Sequence, residues 1–227
     1  MPNRLFERYQ ELQRYVGWTD DHARRAASMR PLFQPHFPAL VEDFYDEIQR
    51  HPQALQVITG GHEQIERLKV SLIRWCQQLF SGNYDVNYVS RRWQIGYRHV
   101  EIGLDQVYTN VALSRLRTGL LTILDRNWQG TPEDLQISRK ILNTLLDLDL
   151  VLIEDAYQAE HTFRKEATER LALIGQVAGG VAHELRNPLN VIRTSVFYLL
   201  NAKNAPSEKV VQHLQRIERQ VGLADDV

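Results

Sequence analysis

A long stretch without glycine or proline limits what this chain can fold into more than any other feature. From Glu133 to Ile174 neither residue occurs, so the stretch is able to form one helix of about 60 Å at ~1.5 Å per residue. Thr131 and Pro132 precede it, and they favour a helix start because threonine caps and proline fits the first turn. We therefore predict a helix longer than a compact domain needs, of the kind that connects domains.

Two apolar stripes run side by side along this predicted helix. Their members are Ile141, Leu145, Leu148 and Leu152 in the first stripe, and Leu142, Leu146, Leu150 and Ile153 in the second. Two apolar faces indicate packing inside the domain and against a partner chain. The alternative is a helix in the middle of a larger monomeric core, and the sequence does not choose between them.

Apolar residues recur at helical spacing in almost all of the chain, whereas the strict alternation typical of strands is hard to find. We therefore predict an all-α fold. Further helices are expected near residues 37–50, 62–80, 85–101 and 104–127.

Three glycines follow the long stretch, namely Gly175, Gly179 and Gly180. Each weakens a helix by about 1 kcal/mol relative to alanine, so we predict a boundary or flexible joint there. A second helical segment to about Ala202, a polar break over residues 203–207 and a last helix come next. This order predicts a helical hairpin.

The composition excludes several classes of function. Lys and Arg total 27 against 28 Asp and Glu, a net charge of -1, so no broad basic field attracts nucleic acid or an anionic membrane. Cys76 is the only cysteine, which excludes an internal disulfide and fits a reducing compartment such as the cytoplasm. No signal peptide and no apolar run of membrane-spanning length is evident, so we expect a cytoplasmic protein.

His99 is the first candidate functional residue. On a helix it shares a face with Ile95 and Ile102 and therefore points inward. Gly96 and Gly103 lie on nearly the same side, which would let a flat ligand or another backbone approach closely. On spacing alone, a satisfied core histidine is favoured over a metal ligand.

A wider pattern surrounds this histidine. Its residues are Trp75, Leu79, Phe80, Gly82, Asn83, Tyr84, Asp85, Tyr88, Arg92, Ile95, Gly96, Gly103, Leu104 and Tyr108. Together with His99, the pattern resembles the globin domain of globin-coupled sensors over roughly residues 1–158. The resemblance implies a globin fold that binds haem b, with His99 as the proximal ligand of the haem iron. The opposite face would then be open to a diatomic gas such as O2.

The distal side of such a pocket is expected on the earlier helices. Phe44 and Tyr45 belong to an apolar stripe on the helix predicted at residues 37–50. In globin-coupled sensors a tyrosine at the matching place donates a hydrogen bond to the gas, and a leucine on the next long helix lines the pocket. The resemblance thus assigns Phe44 and Leu68 to the pocket and Tyr45 to the distal hydrogen bond. The alternative for Tyr45 is a structural hydrogen bond to the backbone.

Other polar candidates are expected to be structural. Six further histidines lie among charged or turn residues and are predicted to face water, namely His22, His36, His51, His62, His161 and His213. The pairs Arg24-Arg25 and Arg91-Arg92 are predicted to lie on solvated faces. Cys76 lies in an apolar helix and is predicted to be a small buried hydrophobe rather than a reactive thiol.

A second candidate site lies later in the chain. Residues 181–189 read Val-Ala-His-Glu-Leu-Arg-Asn-Pro-Leu. This segment resembles the phosphoacceptor box of sensor histidine kinases, in their dimerisation and phosphotransfer domain, and the predicted hairpin supplies the expected context. The resemblance implies that His183 accepts a phosphoryl group and that Glu184 accepts the proton.

The helical pattern around this box predicts which way it faces. An apolar stripe at spacings of three and four fits a bundle core and consists of Val177, Val181, Leu185, Leu189, Ile192, Val196 and Leu199. His183 lies about 160 to 200 degrees away at 3.6 residues per turn, so it projects toward solvent. There a neutral imidazole nitrogen is free to attack the γ-phosphoryl group of ATP, while Asn187 positions the phosphoryl group or a water. An exposed histidine on an ordinary kinked helix is the alternative.

The two resemblances together imply a two-component signalling system. We expect a globin sensor domain at 1–158, a helical linker at 159–175 and an incomplete dimerisation and phosphotransfer domain at 176–227. Nothing resembles the boxes that hold ATP and magnesium, so we expect those cofactors only in a full-length kinase and no autophosphorylation by this chain alone. Haem state would control His183 and transfer to a response regulator, in a homodimer whose hairpins pair into a four-helix bundle.

Two other classes of function stay open. A haem enzyme, such as a peroxidase or dioxygenase, would need a distal acid-base pair that the sequence does not identify. A haem-free, globin-like interaction scaffold is disfavoured by His99.

Overall fold

The computed structural model describes residues 2–201 and 206–226, and the chain divides into two compact units, Met1–His161 and Thr162–Val227. The described residues form helices and no strand, which confirms the all-α prediction. None of these helices combines the length and apolar character that crossing a lipid bilayer requires. A short 3-10 turn at Gln34–His36 accompanies the α-helices, which are α1 Pro2–Tyr15, α2 Asp20–Ser28, α3 Arg30–Phe33, α4 Phe37–Arg50, α5 Pro52–Leu55, α6 Gly61–Leu79, α7 Val86–Glu101, α8 Gln106–Asn127, α9 Pro132–Asn201 and α10 Ser207–Asp225.

Local capping explains where two central helices begin. At the start of α7 the Asp85 carboxylate accepts a hydrogen bond from the Tyr88 amide at 2.8 Å. At the start of α8 the Asp105 carboxylate accepts one from the Val107 amide at 3.2 Å. Such carboxylates satisfy amides that have no partner in the first helical turn. Such signals are local, so the sequence reveals them. The four helices predicted between residues 37 and 127 match α4, α6, α7 and α8 to within two residues at each end.

Helix α9 runs without interruption through Gly175, Gly179 and Gly180. The helical segments predicted on either side of these glycines are therefore one helix, while the boundary or flexible joint predicted there stays a prediction. Each glycine costs only about 1 kcal/mol relative to alanine, and helix propagation from both sides offsets so small a local preference.

The last two helices form a hairpin in the second unit. The ring of Tyr198 on α9 stacks on the ring of His213 on α10, with 4.2 Å between their centroids. Pro206 precedes the first turn of α10. The predicted helix end at Ala202 and the predicted polar break at residues 203–205 lie outside the described residues.

Both apolar stripes of α9 are buried in the core of the unit Met1–His161. Of their eight side chains, seven are buried and the remaining one, Leu150, packs against the core. The structure therefore decides between the two alternatives: this part of α9 lies in the middle of the unit's own core, and no partner chain is needed to cover either stripe.

A buried ion pair joins α7 to α9. The Arg92 guanidinium, 1% exposed, donates from Nε to the fully buried Asp149 carboxylate at 2.8 Å. Its other nitrogens donate to the Trp75 carbonyl and to the Gln78 side chain, each at 3.1 Å, and the Tyr88 hydroxyl also donates to Asp149. The prediction that Arg92 lies on a solvated face is therefore wrong. The sequence near Arg92 gives no sign of its burial, because the carboxylate that pairs with it lies 57 residues away.

Arg25 and His213 also depart from the solvated positions predicted for them, as does His22, which is half-buried and stacked on Trp18. The Arg25 guanidinium donates to the Asp134 carboxylate at 2.8 Å and is only partly exposed. His213 is stacked on Tyr198, and its Nδ1 is buried without a hydrogen-bond partner among the described residues. Cys76, in contrast, is fully buried as predicted, and burial raises the pKa of its thiol to about 12.

Candidate functional site

A cavity of about 1000 Å³ opens in the unit Met1–His161. Its walls come mainly from α4, α6, α7 and α8, and most of the side chains that line it are apolar. Protein interiors are otherwise close-packed, with few voids larger than a water molecule. A cavity of this size lies at the upper end of the range of ~300 to 1000 Å³ typical of ligand pockets, so it suits a large apolar ligand.

The four residues that the globin resemblance assigned to a pocket all line this cavity. Phe44 and Tyr45 come from α4, Leu68 from α6 and His99 from α7. Residues separated by up to 55 positions are thus brought to one cavity by the crossing of three helices.

His99 offers the cavity a neutral imidazole. Burial lowers the pKa of its ring by removing water from the charged form, so the ring is uncharged at neutral pH. Nδ1 lies 3.4 Å from the Thr109 hydroxyl oxygen. In the part of the chain that the structure describes, this is the one hydrogen bond of the ring, and it leaves Nε2 without a partner. One engaged nitrogen and one free nitrogen make the arrangement that a metal-ligating histidine needs, and haem iron takes such a ligand.

Tyr45 places a protonated hydroxyl at the same cavity. The side chain is 7% exposed, and burial raises the pKa of its phenol above the ordinary value. Within residues 2–201 and 206–226 the hydroxyl has no hydrogen-bond partner, so the structural bond to backbone considered as the alternative is not made. The Tyr45 ring packs edge-on against Phe44, with 5.3 Å between centroids. The hydroxyl is therefore an available donor beside an apolar ring.

Charged side chains also line the cavity, and sequence reasoning did not single them out. Arg67 donates to Glu63 at 2.9 Å, and Arg98 donates to Glu101 at 2.8 Å. Arginines paired with a residue three or four positions away on their own helix look like ordinary surface pairs in a sequence. Only the fold brings them to the cavity.

The two glycines beside His99 have different roles. A Cβ at Gly96 would lie 2.1 Å from the backbone oxygen of Ile153, so this glycine permits α7 and α9 to cross at close range. Gly103 has φ of +73°, which glycine adopts without strain, and it makes the turn between α7 and α8. Of the alternatives from the sequence, Gly96 therefore accommodates another backbone rather than a flat ligand.

The second candidate site lies on α9 in the unit Thr162–Val227. His183, Glu184 and Asn187 are all exposed, while Leu185 is half-buried and Pro188 is buried. The box thus presents its three polar side chains to solvent, as the helical spacing predicts.

The apolar stripe around this box separates into two sets. Leu185, Ile192 and Leu199 are partly buried, whereas Val177, Val181, Leu189 and Val196 are exposed. The single hairpin therefore covers only part of the stripe predicted for a bundle core.

Comparison with known proteins agrees with this architecture. The family model described as Protoglobin matches residues 6–162. The chain belongs to the protoglobin family. Residues 173–226 match the model of the His Kinase A (phospho-acceptor) domain. The chain is thus a globin-coupled sensor in which a histidine kinase phospho-acceptor domain follows the globin domain, and the resemblance that the sequence motifs indicated is confirmed.

The known proteins to which the chain is similar include a solved globin domain and a curated sensor protein. The globin domain of a Geobacter sulfurreducens globin-coupled sensor is 29% identical, with a TM-score of 0.59, over 65% of this chain and 96% of that one. The heme-based aerotactic transducer HemAT of Halobacterium salinarum is 24% identical over 218 residues, which are 91% of this chain. The chain spans only 44% of that relative's length.

Proposed function

We propose that the chain is the sensor and phosphoacceptor part of a histidine kinase that responds to a gas or redox signal through haem. The observation that carries the proposal is the apolar cavity onto which His99 and Tyr45 open from different helices. The name of the Halobacterium relative, a heme-based aerotactic transducer, supports haem and sensing together.

The residues of the cavity fit haem. His99 would supply a nitrogen ligand to the iron, Phe44 and Leu68 would pack against the haem, and Tyr45 would donate a hydrogen bond to a bound gas. Bound haem supplies an iron that takes one protein ligand and leaves a position for a diatomic gas. Haem b is the form proposed, because covalent attachment uses two cysteines near a histidine and Cys76 is alone and buried.

His183 is proposed as the phosphoacceptor in the full-length kinase. Its imidazole nitrogen would attack the γ-phosphorus of Mg-bound ATP, forming an N–P bond as the bond to the β-phosphate oxygen breaks and ADP leaves. Glu184 would accept the proton of the other ring nitrogen, and Asn187 would orient the phosphoryl group. An aspartate of a response regulator would then receive the phosphoryl group from His183.

Dimerisation is proposed through the exposed set of the apolar stripe. Val177, Val181, Leu189 and Val196 would be covered when two hairpins pair into a four-helix bundle. Light scattering should therefore give the mass of a homodimer, and a monomer across a wide concentration range would contradict this. The domain limits that we propose are 1–158 for the sensor, 159–175 for the linker and 176–227 for the phosphotransfer domain.

The visible spectrum of the haemin-supplied protein tests the haem site. We would compare the parent, His99→Ala and His51→Ala in ferric and ferrous forms. His51 also lines the cavity but bonds to Glu47 at 3.0 Å, so it is a matched control. An intense haem band should appear in the parent and in His51→Ala and should shift or vanish in His99→Ala. No stable band in the parent would refute the haem site, and rapid peroxide turnover would favour a haem enzyme instead.

A further inference from the structure

The hydroxyl of Thr109 lies between the imidazole of His99 and the phenol of Tyr157. Thr109 Oγ1 is 3.4 Å from His99 Nδ1 and 3.0 Å from the Tyr157 hydroxyl oxygen. Thr109 is buried and Tyr157 is half-buried, so water competes little for these groups. The three side chains form one short chain of polar groups across α7, α8 and α9.

The chemistry of the three groups selects one arrangement of protons at His99. A neutral imidazole carries one N–H and one bare nitrogen, and a hydroxyl both donates and accepts. A proton on Nδ1 finds an acceptor in Thr109, whereas a proton on Nε2 has no acceptor among the described residues. The ring nitrogen that makes the hydrogen bond generally carries the proton in such pairs, so the contact between Nδ1 and Thr109 favours the Nδ1–H form.

We propose that Thr109 and Tyr157 are positioning residues for His99, which hold its proton on Nδ1, leave Nε2 bare for the ligand of the cavity and tie the ring to α9. This inference rests on the proposed role of His99 as the haem ligand. The partner of the second nitrogen generally orients a ligating histidine and raises its basicity, and loss of that partner costs about 10- to 100-fold in metal affinity.

Tyr157 gives the arrangement a regulatory consequence. It lies on α9, the helix that also carries His183. A movement of the His99 ring changes its hydrogen bond to Thr109 on α8 and, through Thr109, the bond to Tyr157 on α9. The alternative is that the bond between Thr109 and Tyr157 only joins α8 to α9, with His99 held by packing.

Three variants separate these alternatives. Thr109→Val removes the hydroxyl at nearly constant shape, Thr109→Ser keeps a hydroxyl, and Tyr157→Phe removes the far end of the chain. Resonance Raman spectroscopy of the ferrous haem-loaded protein measures the iron–histidine stretching frequency, which falls when the Nδ1 proton loses its acceptor. We expect a lower frequency in Thr109→Val, the parent frequency in Thr109→Ser and an intermediate frequency in Tyr157→Phe. Haem loss from Thr109→Val should be about 10-fold faster or more.

The haem-free protein gives a second readout that does not depend on the cofactor. Nitrogen-15 NMR of the histidine ring reports which nitrogen carries the proton. The parent and Thr109→Ser should show the proton on Nδ1, and Thr109→Val should move it toward Nε2. A parent with the proton on Nε2, or one iron–histidine frequency in all four proteins, would overturn the inference. A protein that binds no haem but keeps its proton on Nδ1 would refute the haem site and leave the hydrogen-bond chain standing.

Discussion

Removal of one partner of the buried ion pair between Arg92 and Asp149 should be one of the most destabilising single changes in the globin unit. Arg92→Met leaves the Asp149 carboxylate in the core with the Tyr88 hydroxyl as its one side-chain donor among the described residues. Removal of one partner of a buried ion pair costs about 3 to 5 kcal/mol, because the remaining charge stays out of water without compensation. Domains are stable by only about 5 to 15 kcal/mol, so this variant should lose a large part of its stability.

Urea unfolding followed by tryptophan fluorescence measures this loss in the right part of the chain. All four tryptophans, at positions 18, 75, 93 and 128, belong to the unit Met1–His161. Arg91→Met is the matched control, since Arg91 is exposed and such changes usually alter stability by less than ~0.5 kcal/mol. The midpoint of Arg92→Met should fall well below that of Arg91→Met.

A double variant tests the cause of the effect. In Arg92→Met with Asp149→Leu no buried charge remains, and replacing a buried pair with apolar residues is often neutral or stabilising by about 1 to 4 kcal/mol. We expect the double variant to be more stable than Arg92→Met alone. Equal midpoints for Arg92→Met and Arg91→Met, or additive losses in the double variant, would refute this reasoning.

Three further predictions concern the same unfolding measurement or its counterpart for the second unit. Gly96→Ala should destabilise the globin unit by about 1 to 3 kcal/mol, because the new Cβ would meet the Ile153 oxygen at 2.1 Å; an unchanged midpoint would contradict the close crossing of α7 and α9. Gly175→Ala, where the new Cβ meets open space in a helix, should instead raise the thermal midpoint of helix loss seen by circular dichroism, by a gain of about 1 kcal/mol. Hydrogen bonds from Arg25 and then Thr131 lower the pKa of Asp134 in the folded chain, so its contribution is present at neutral pH and is lost as the pH falls through that lowered pKa. The difference in urea midpoint between the parent and Asp134→Asn should therefore be smaller in acid than at neutral pH, and the same difference under both conditions would count against this.

The prediction of helices from the sequence succeeded where the signals are local. The capping carboxylates Asp85 and Asp105 act on amides two or three residues away, so the sequence itself contains the starts of α7 and α8. The inward position of His99 and the outward position of His183 likewise follow from 3.6 residues per turn.

Other predictions failed where the deciding contact is distant. Arg92 resembles any exposed arginine until α9 supplies the carboxylate of Asp149. The glycines beginning at Gly175 were predicted to form a boundary or flexible joint between two helical segments. Helix α9 continues through them, because an unfavourable propensity is a small term beside helix propagation.

Periodicity alone therefore determined an all-α chain and the faces of its helices, whereas the resemblance of the surrounding motifs to known families singled out His99 and His183. Side-chain direction follows from backbone pitch, and pitch needs no information about distant residues. Only the tertiary structure decided that both stripes of α9 are buried and that Gly96 permits a close helix crossing. It also decided that Thr109 contacts His99 Nδ1 and that Tyr157 contacts Thr109. The residues in these contacts lie 10 to 57 positions apart in the sequence. The contacts depend on where the helices cross, and the packing of side chains between each pair of helices determines those crossings.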